Sequence, residues 1–516
     1  MHDLNAFLQE LAAAGVPADA SPAALRASER DGSQLRIPPL CVAAPADAAG
    51  IAAVVRACRA RRLPVTVAGG YTGLSGGVLG PGAVRIETRR MTQFRVADGH
   101  VHAEAGASIP EIMRAVAPLG FDFPFQPASA SRAKDAYDYL GVPVGPVRLG
   151  GALGANASGL VGCKLGAALD WVAALTVVTP TGEVRRVTTG FNQYVGTEGR
   201  FGIIADADVR LSPKPQDTRT FLLAGDGYGS FAAAADAIGA SGVFPLLAEA
   251  LVAGTRPPDF DAITAAALPD PVPFRRAFGR YFQPGAWLIL LQGDPSETET
   301  CTRAVAAAVP SAQIRPLAPD EFAQLKLVRS AASDAVVRAE PAGPGAGDPL
   351  DRAAGFISEA IAEFRARGFQ PKGEHNFGLL RTFLEGDASR ESYRRAVAAG
   401  EAFDDGTLGL YDACQGDLRT CLRRTLAPVI TDEMVRNRLA VNFAGNEDIL
   451  IPAAKFEEAV ALLNRLLQKY RACPSSIYYC HVNFRRKPGW ILIHNRLLLD
   501  VTEFCTPPAK AGVSKQ

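Results

Sequence analysis

Apolar residues recur at helical spacing from the start of the chain, at Leu4, Phe7, Leu8 and Leu11, and residues 4–30 read as a helical lead-in. Pro38-Pro39 interrupts before Cys41-Val42. Asp47 to Arg61 predicts a helix with Ile51, Val54, Val55 and Cys58 on one face. Pro64 to Val67 is a short apolar run that reads as a buried strand. Val84 to Glu87 reads as another, and Val101 to Ala105 alternates. Ile109 to Leu119 is helical, with Ser108 and Glu111 in a capping-box pattern. Mixed helices and strands of this kind exclude an all-β domain. Phe121 to Arg148 is rich in aromatics and proline and reads as a loop or insertion. Val172 to Pro180 is strand-like, Thr181-Gly182 turns the chain, and Glu183 to Val187 pairs back. Ile203 to Leu211 is a further strand, and Pro213-Lys214-Pro215 marks a boundary. Beyond it, strands such as Ala286–Leu291 alternate with helices such as Thr298–Val309 and Glu457–Tyr470. That pattern suits an antiparallel sheet covered by helices on one face. Residues 342–347 read as a mobile loop, and Ile477 to Phe504 as strands and turns. The expected division is 1–215, 216–470 and 471–516, the last returning to the first domain. The fold class expected is α+β.

Three glycine-rich stretches lie between the strand-like runs of the first domain. They are Ala68 to Gly77, Leu149 to Gly159 and Gly196 to Ile204. Glycine lets backbone approach a ligand closely, and successive amides can form a nest for anionic oxygens. Three such loops in one domain point to a large phosphorylated cofactor. Composition narrows the partners. The formal net charge of +1 gives no electrostatic case for nucleic acid. No apolar run approaches the roughly 20 residues of a membrane helix. The amphipathic N-terminal stretch does not read as a signal peptide, so a cytoplasmic protein is expected, with peripheral attachment to a membrane left open. None of the nine cysteines forms C-x-x-C, which argues against an internal iron–sulfur or zinc-ribbon site.

Taken together the three stretches resemble the FAD-binding domain of the FAD-linked oxidase family, the vanillyl-alcohol-oxidase and p-cresol-methylhydroxylase type. The nearest branch by resemblance is that of the D-lactate, glycolate and D-2-hydroxyglutarate dehydrogenases. Thr72 to Gly77 matches the core of R-G-x-G-T-G-L-S-G-G, while Ala68 and Tyr71 depart from it. Leu149 to Gly159 matches I-G-G-x-x-x-x-N-x-x-G. Gly196 to Ile204 matches G-S-E-G-T-L-G-I-I with Thr197, Arg200 and Phe201 as variants. The resemblance implies a two-part FAD-binding domain with a central cap. It implies that Gly69, Gly70, Tyr71, Thr72, Gly73, Leu74, Ser75, Gly76 and Gly77 cradle the pyrophosphate. Gly150, Gly151, Asn156, Ser158 and Gly159 would line the flavin side. Glu198, Gly199, Gly202, Ile203 and Ile204 would hold the adenosine part. No histidine lies in these loops, so FAD is expected to bind noncovalently. The stretch 128–148 is longer than in relatives and could be a lid or docking loop.

In the cap, Glu447 to Pro452 resembles E-D-V-x-V-P, and Tyr479-Cys480-His481-Val482-Asn483 keeps one of two family histidines. Gly373 to Gly378 resembles G-E-H-G-x-G, and Ala402 to Gly406 faintly resembles a closing D-P-x-G, both out of family order. Histidine suits the removal of a hydroxyl proton because its ordinary pKa is near neutrality. His375 and His481 are the candidates, His100 and His102 reading as surface residues. A carboxylate clamp would be Arg329, Arg381, Arg485 or Arg486, with Arg485 closest to His481 in sequence. Glu374 and His481 are the candidate ligands of a divalent metal. The activity expected is oxidation of a small 2-hydroxy acid, with electrons passed to an iron–sulfur protein, an electron-transfer flavoprotein or a quinone. The rivals are oxidation of an aromatic or other nonacidic alcohol, and a flavin-bearing subunit of an electron-transfer complex. Assembly into a homo-oligomer stays open.

Overall fold

A computed structural model describes residues 4–127, 146–254, 260–334, 349–371, 379–429, 440–443, 449–470, 477–485, 487–494 and 497–500. Beside a short antiparallel pair of Phe121–Asp122 with Ser212–Pro213, two larger sheets build the first lobe. In the smaller, the strands run in the order Ala18–Asp19, Cys41–Ala43, Val84–Glu87, Val65–Ala68. The last three are parallel, and the first is antiparallel to its neighbour. The second sheet is antiparallel throughout: Phe94–Ala97, His100–Glu104, Ile203–Arg210, Val172–Val178, Val184–Val187. Helix Ala48–Arg61 lies between them. Its N-cap Asp47 accepts a bond from Gly50 N at 2.7 Å, a cap worth about 1 kcal/mol. Its buried face, Ile51, Val54, Val55 and Cys58, shares one core with Val84 and Ile86 of the first sheet and Val178 and Ile203 of the second. Ser108 caps the helix Ile109–Val116 through Glu111 N.

The second lobe is one eight-stranded antiparallel sheet. Its order is Gln313–Pro316, Arg219–Asp226, Ala286–Gly293, Leu247–Ala253, Ile477–Phe484, Lys487–His494, Ile449–Pro452, Gln370–Pro371. Helices cover both faces, not one. Tyr228–Ala240, Pro295–Ala308, Pro349–Ala366 and Phe456–Lys469 pack on the side of Leu223, Ala250 and Ile289. Phe260–Ala267, Val272–Phe278 and Pro319–Asp334 pack on the side of Leu222, Leu251 and Leu290. The strand Leu247–Ala253 is accordingly buried at every position, as expected for a strand with core on both sides.

Much of the expected C-terminal segment 471–516, including everything past Asp500, lies outside the described residues. Strands Ile477–Phe484 and Lys487–His494 lie in the middle of the large sheet. A segment that does return to the first lobe is 402–407, from within the expected cap. Val65 N donates to the Asp404 carbonyl (2.7 Å), Phe403 N donates to the Arg200 carbonyl (2.6 Å), and Phe403 enters the first lobe's core. His481 and Cys480 pair directly with Glu249 and Ala250, so the strand Ile477–Phe484 completes the sheet centre, and it meets the first lobe at its end, where Arg485 N donates to the Cys163 carbonyl. The expected loop at 342–347 and most of the 128–148 stretch lie outside the described residues.

Candidate cofactor cradle and catalytic pocket

The strand Val65–Ala68 delivers the first glycine stretch, and the other two stretches close on it. Glu198 N donates to the Gly154 carbonyl and Gly196 N to the Leu153 carbonyl, each at 2.9 Å, which ties the third stretch to the second. Ser75 Oγ donates to Glu198 Oε1 at 2.5 Å, which ties the first to the third. The loops are packed to the limit that glycine allows. A methyl group at Gly70 would sit 2.3 Å from the Pro146 carbonyl oxygen, and one at Gly77 would sit 2.3 Å from Glu198 Oε2. Gly69 backs onto the Arg148 side chain, Gly150 onto Ala105, and Gly202 onto the Tyr194 ring. Gly159 packs against the Gln126 carbonyl, and Gly199 against Val67.

Two glycines behave otherwise. A methyl group at Gly151 would meet nothing within 4 Å, and one at Gly73 would only touch Asp31 Oδ2 at 4.0 Å. Neither has a positive φ. No described residue crowds either position, which leaves both backbones open to a ligand. The three stretches expected to hold FAD do converge, with backbone left open at Gly73 and Gly151.

Several expected cradle residues turn inward instead. Tyr71 takes φ 56° and its hydroxyl donates to Glu87 Oε1 at 2.6 Å. Its carbonyl accepts from Gly32 N at 3.1 Å. Burial pushes its phenol upward, so it stays neutral. The departure at Tyr71 is thus a structural pairing under the loop. Asn156 Oδ1 accepts from Leu169 N at 3.0 Å, and the Ser158 carbonyl accepts from Gln126 N at 3.2 Å. Ile203 and Ile204 are buried strand residues. Thr72, Leu74 and Gly76 lie on the loop, with Leu74 46% exposed. The variants Arg200 and Phe201 also have partners. Arg200 Nε lies 3.1 Å from Asp405 Oδ2 with both side chains buried, its guanidinium covers the Tyr393 ring, and Phe201 meets that ring edge-on.

Below the cradle lies a set of charged groups that periodicity could not reveal. Val84-Arg85-Ile86-Glu87 alternates like a half-exposed strand, yet all four residues are buried. Arg85 donates to the Ser28 carbonyl. Asp31 Oδ1 accepts from Ser33, while Asp31 Oδ2 is buried and unpartnered, and burial raises its carboxyl to about 6. Burial likewise raises Glu198 to about 7, against the lowering effects of Ser75 and Arg200.

The second half of the site lies on the large sheet. His481 pairs across the ladder with Glu249, and its Nδ1 sits 2.8 Å from Glu249 Oε2. Arg329 Nε donates to Glu249 Oε1 at 2.7 Å from the helix Pro319–Asp334. All three side chains are buried, with Glu249 1% exposed. They occupy the sheet face that also receives Leu160, next to Gly159 of the cradle. Helix Gly162–Leu165 docks there: Arg485 N donates to the Cys163 carbonyl at 3.0 Å, and Lys164 Nζ pairs with Glu297 at 2.7 Å. Burial, then the charge of Glu249, push the Cys163 thiol up to about 12, so it is no nucleophile. Sequence reasoning missed Glu249. Its signal was a lone acid in Leu247-Ala248-Glu249-Ala250-Leu251, since a carboxylate in an apolar strand needs a partner.

Of the other candidates, Arg485 lies beyond a bulge at Val482/Phe484 and is exposed, and Arg381 is held by Glu385 at 2.5 Å. Glu374, His375 and Arg486 lie outside the described residues. Among the described residues, no three His, Cys, Asp or Glu are placed to hold a metal. The described cysteines are free and buried. His102 is half-buried against Asp208 at 2.6 Å, remote in topology from the pocket. No described helix is long and apolar enough to cross a membrane.

Residues 39–134 match the FAD binding domain family. The chain is 29% identical over 218 residues to a D-2-hydroxyglutarate dehydrogenase of Xanthomonas citri pv. viticola, covering 39% of this chain and 43% of that protein. It is 28% identical over 187 residues to a D-lactate dehydrogenase of Anaerostipes hadrus, covering 34% and 36%. The chain thus spans less than half the length of the curated relatives it matches. Among solved structures, alkyldihydroxyacetonephosphate synthase shares the fold, with a TM-score of 0.51 at 16% identity over 81% of this chain and 85% of that one.

Proposed function

We propose that this chain, whose residues 39–134 belong to the FAD binding domain family, is an FAD-linked oxidoreductase that oxidises a small 2-hydroxy acid. The observation that carries the reading is the His481–Glu249 pair, buried on the sheet face against which Leu160, the residue after the second glycine stretch, packs. The relatives named for 2-hydroxy acids support the substrate class. The cradle binds the cofactor noncovalently through the amides of Gly69–Gly77 and the backbone at Gly151. The chemistry that bound FAD supplies is acceptance of the substrate's α-hydrogen with its electron pair. His481 takes the hydroxyl proton. Glu249, against Nδ1, fixes the ring and stabilises the imidazolium that results. Arg329 offsets the charge of Glu249. The helices packed on both faces of the sheet keep the His481–Glu249 pair buried. Electrons then pass to a separate acceptor, a quinone or an iron–sulfur or flavin protein.

A second reading, oxidation of a nonacidic alcohol, is favoured by one observation: Arg329 and Arg381 are each already paired with an acid. Anaerobic mixing of the flavin-loaded protein with D-lactate, glycolate, D-2-hydroxyglutarate and aromatic alcohols separates the two. Bleaching of the flavin band by a hydroxy acid is the expected result. Bleaching by the neutral alcohols alone would reject the acid reading, and a purified chain that takes up no flavin would reject both.

A further inference from the structure

We propose that Glu198 holds FAD as a neutral acid, its carboxyl O–H donating to a phosphate oxygen in the Gly69–Gly77 cradle, so that filling the cradle takes up a proton. The inference rests on the FAD reading above. Glu198 belongs to the third glycine stretch, yet its carboxyl lies on the first. Oε1 accepts from Ser75 Oγ, and Oε2 lies so close to Gly77 that a methyl group there would be 2.3 Å away. Oε2 is buried and has no hydrogen-bond partner. A buried oxygen left in that state is costly, by about 1–3 kcal/mol for a neutral group and more for a charge. Its place beside the loop that would hold the diphosphate says what is meant to satisfy it.

The surroundings decide the form of the acid. The charged groups facing Glu198 are Arg200, Asp31 and Asp405. Arg200 is engaged with Asp405, and Asp31 is a second buried acid with an unpartnered oxygen. Adding a diphosphate to three ionised carboxylates and one guanidinium would stack like charges in a dry site. Phosphate oxygens are acceptors, so an ionised carboxylate offers them nothing, while a protonated one offers a donor. Burial already raises Glu198 to about 7 before any anion arrives. A neighbouring anion raises it further.

The test is titration of the flavin-stripped full chain with FAD between pH 6 and 9. Calorimetry in buffers of different ionisation heat counts the protons. The wild-type Kd is expected to rise about tenfold per unit above about pH 7, with uptake near one proton. Glu198→Gln keeps shape and a neutral donor. It should bind within about threefold of wild type at pH 6 and lose the pH dependence. A wild-type Kd that stays flat with pH would overturn the proposal while leaving FAD binding intact. So would weak binding by E198Q at every pH, which would make Glu198 a charged acceptor for a ribose hydroxyl. A chain that binds no FAD at all would overturn the function proposed above as well.

Discussion

Between Gly69 and Ile204 the first lobe offers a ligand mainly backbone, held by packing so tight that a single methyl at Gly70 or Gly77 would collide. Between Glu249 and His481 the second lobe offers side chains, drawn from two strands and a helix that meet only when the large sheet is complete. Backbone recognition leaves its mark in glycine spacing along a continuous stretch. Side-chain recognition leaves only isolated residues, whose partners are set by strand order. Tight backbone sites should therefore fail abruptly when a side chain is added, and the pocket should fail in its chemistry while the cofactor stays.

The largest effect expected is at Gly77. Gly77→Val drives a branched side chain into Glu198, and the purified variant should retain no flavin absorbance. Full flavin content would break the contrast at its base. His481→Ala should leave flavin content unchanged and slow flavin reduction by about 10²–10⁴-fold, the usual worth of a general base. Loss of flavin from that variant would show that the two lobes do not divide their labour as described. Arg200→Ala leaves Asp405 buried without its partner and should cost about 3–5 kcal/mol in chemical unfolding. The double variant with Asp405→Ala should recover part of that.

A smaller effect comes from pH. Glu198 has a raised carboxyl in the folded chain, about 7 against an ordinary value near 4.5. The folded state therefore binds its proton more tightly than the unfolded one. Its contribution, about 3 kcal/mol, is whole below about pH 4.5 and is lost as pH rises through about 7. Unfolding of the flavin-free chain followed from pH 5 to 8 should show the decline, and E198Q should remove the part of it above about pH 6, Asp31 (raised to about 6) carrying the part below. Tyr71→Phe removes one hydrogen bond to Glu87 and should cost about 1 kcal/mol, with flavin affinity little changed. A large loss of flavin there would move Tyr71 from the scaffold to the cradle.

Much of the first lobe was legible because its elements are local. The strand at Val84–Glu87, the helix cap at Ser108 and the run into Gly69 all follow from neighbours in sequence. The convergence of the three glycine stretches is long-range and was legible only through their resemblance to the FAD-linked oxidase family. What was not legible depends on long-range pairing. The strand at Val84–Glu87 did not say what partners Arg85, which is buried and donates to the Ser28 carbonyl of the lead-in. Glu249 had no motif, and its role appears only when the strand Ile477–Phe484 lies beside it. The variants Arg200 and Phe201 looked like drift from a pattern. They are complements to Asp405 and Tyr393, about two hundred residues further along the chain.

The docking of residues 402–407 onto the first lobe has a consequence for how this protein can be taken apart. The lobe that holds the cradle needs a clip supplied from far downstream, and the sheet that holds His481 is completed still further on. No single cut yields two self-sufficient halves. Cleavage after Pro215 would strip Val65 N and Arg200 of their partners, and loss of everything past Tyr470 would remove the middle of the large sheet while sparing the clip. Limited proteolysis should therefore nick the chain without releasing a cofactor-binding fragment, the pieces holding together until the whole assembly melts.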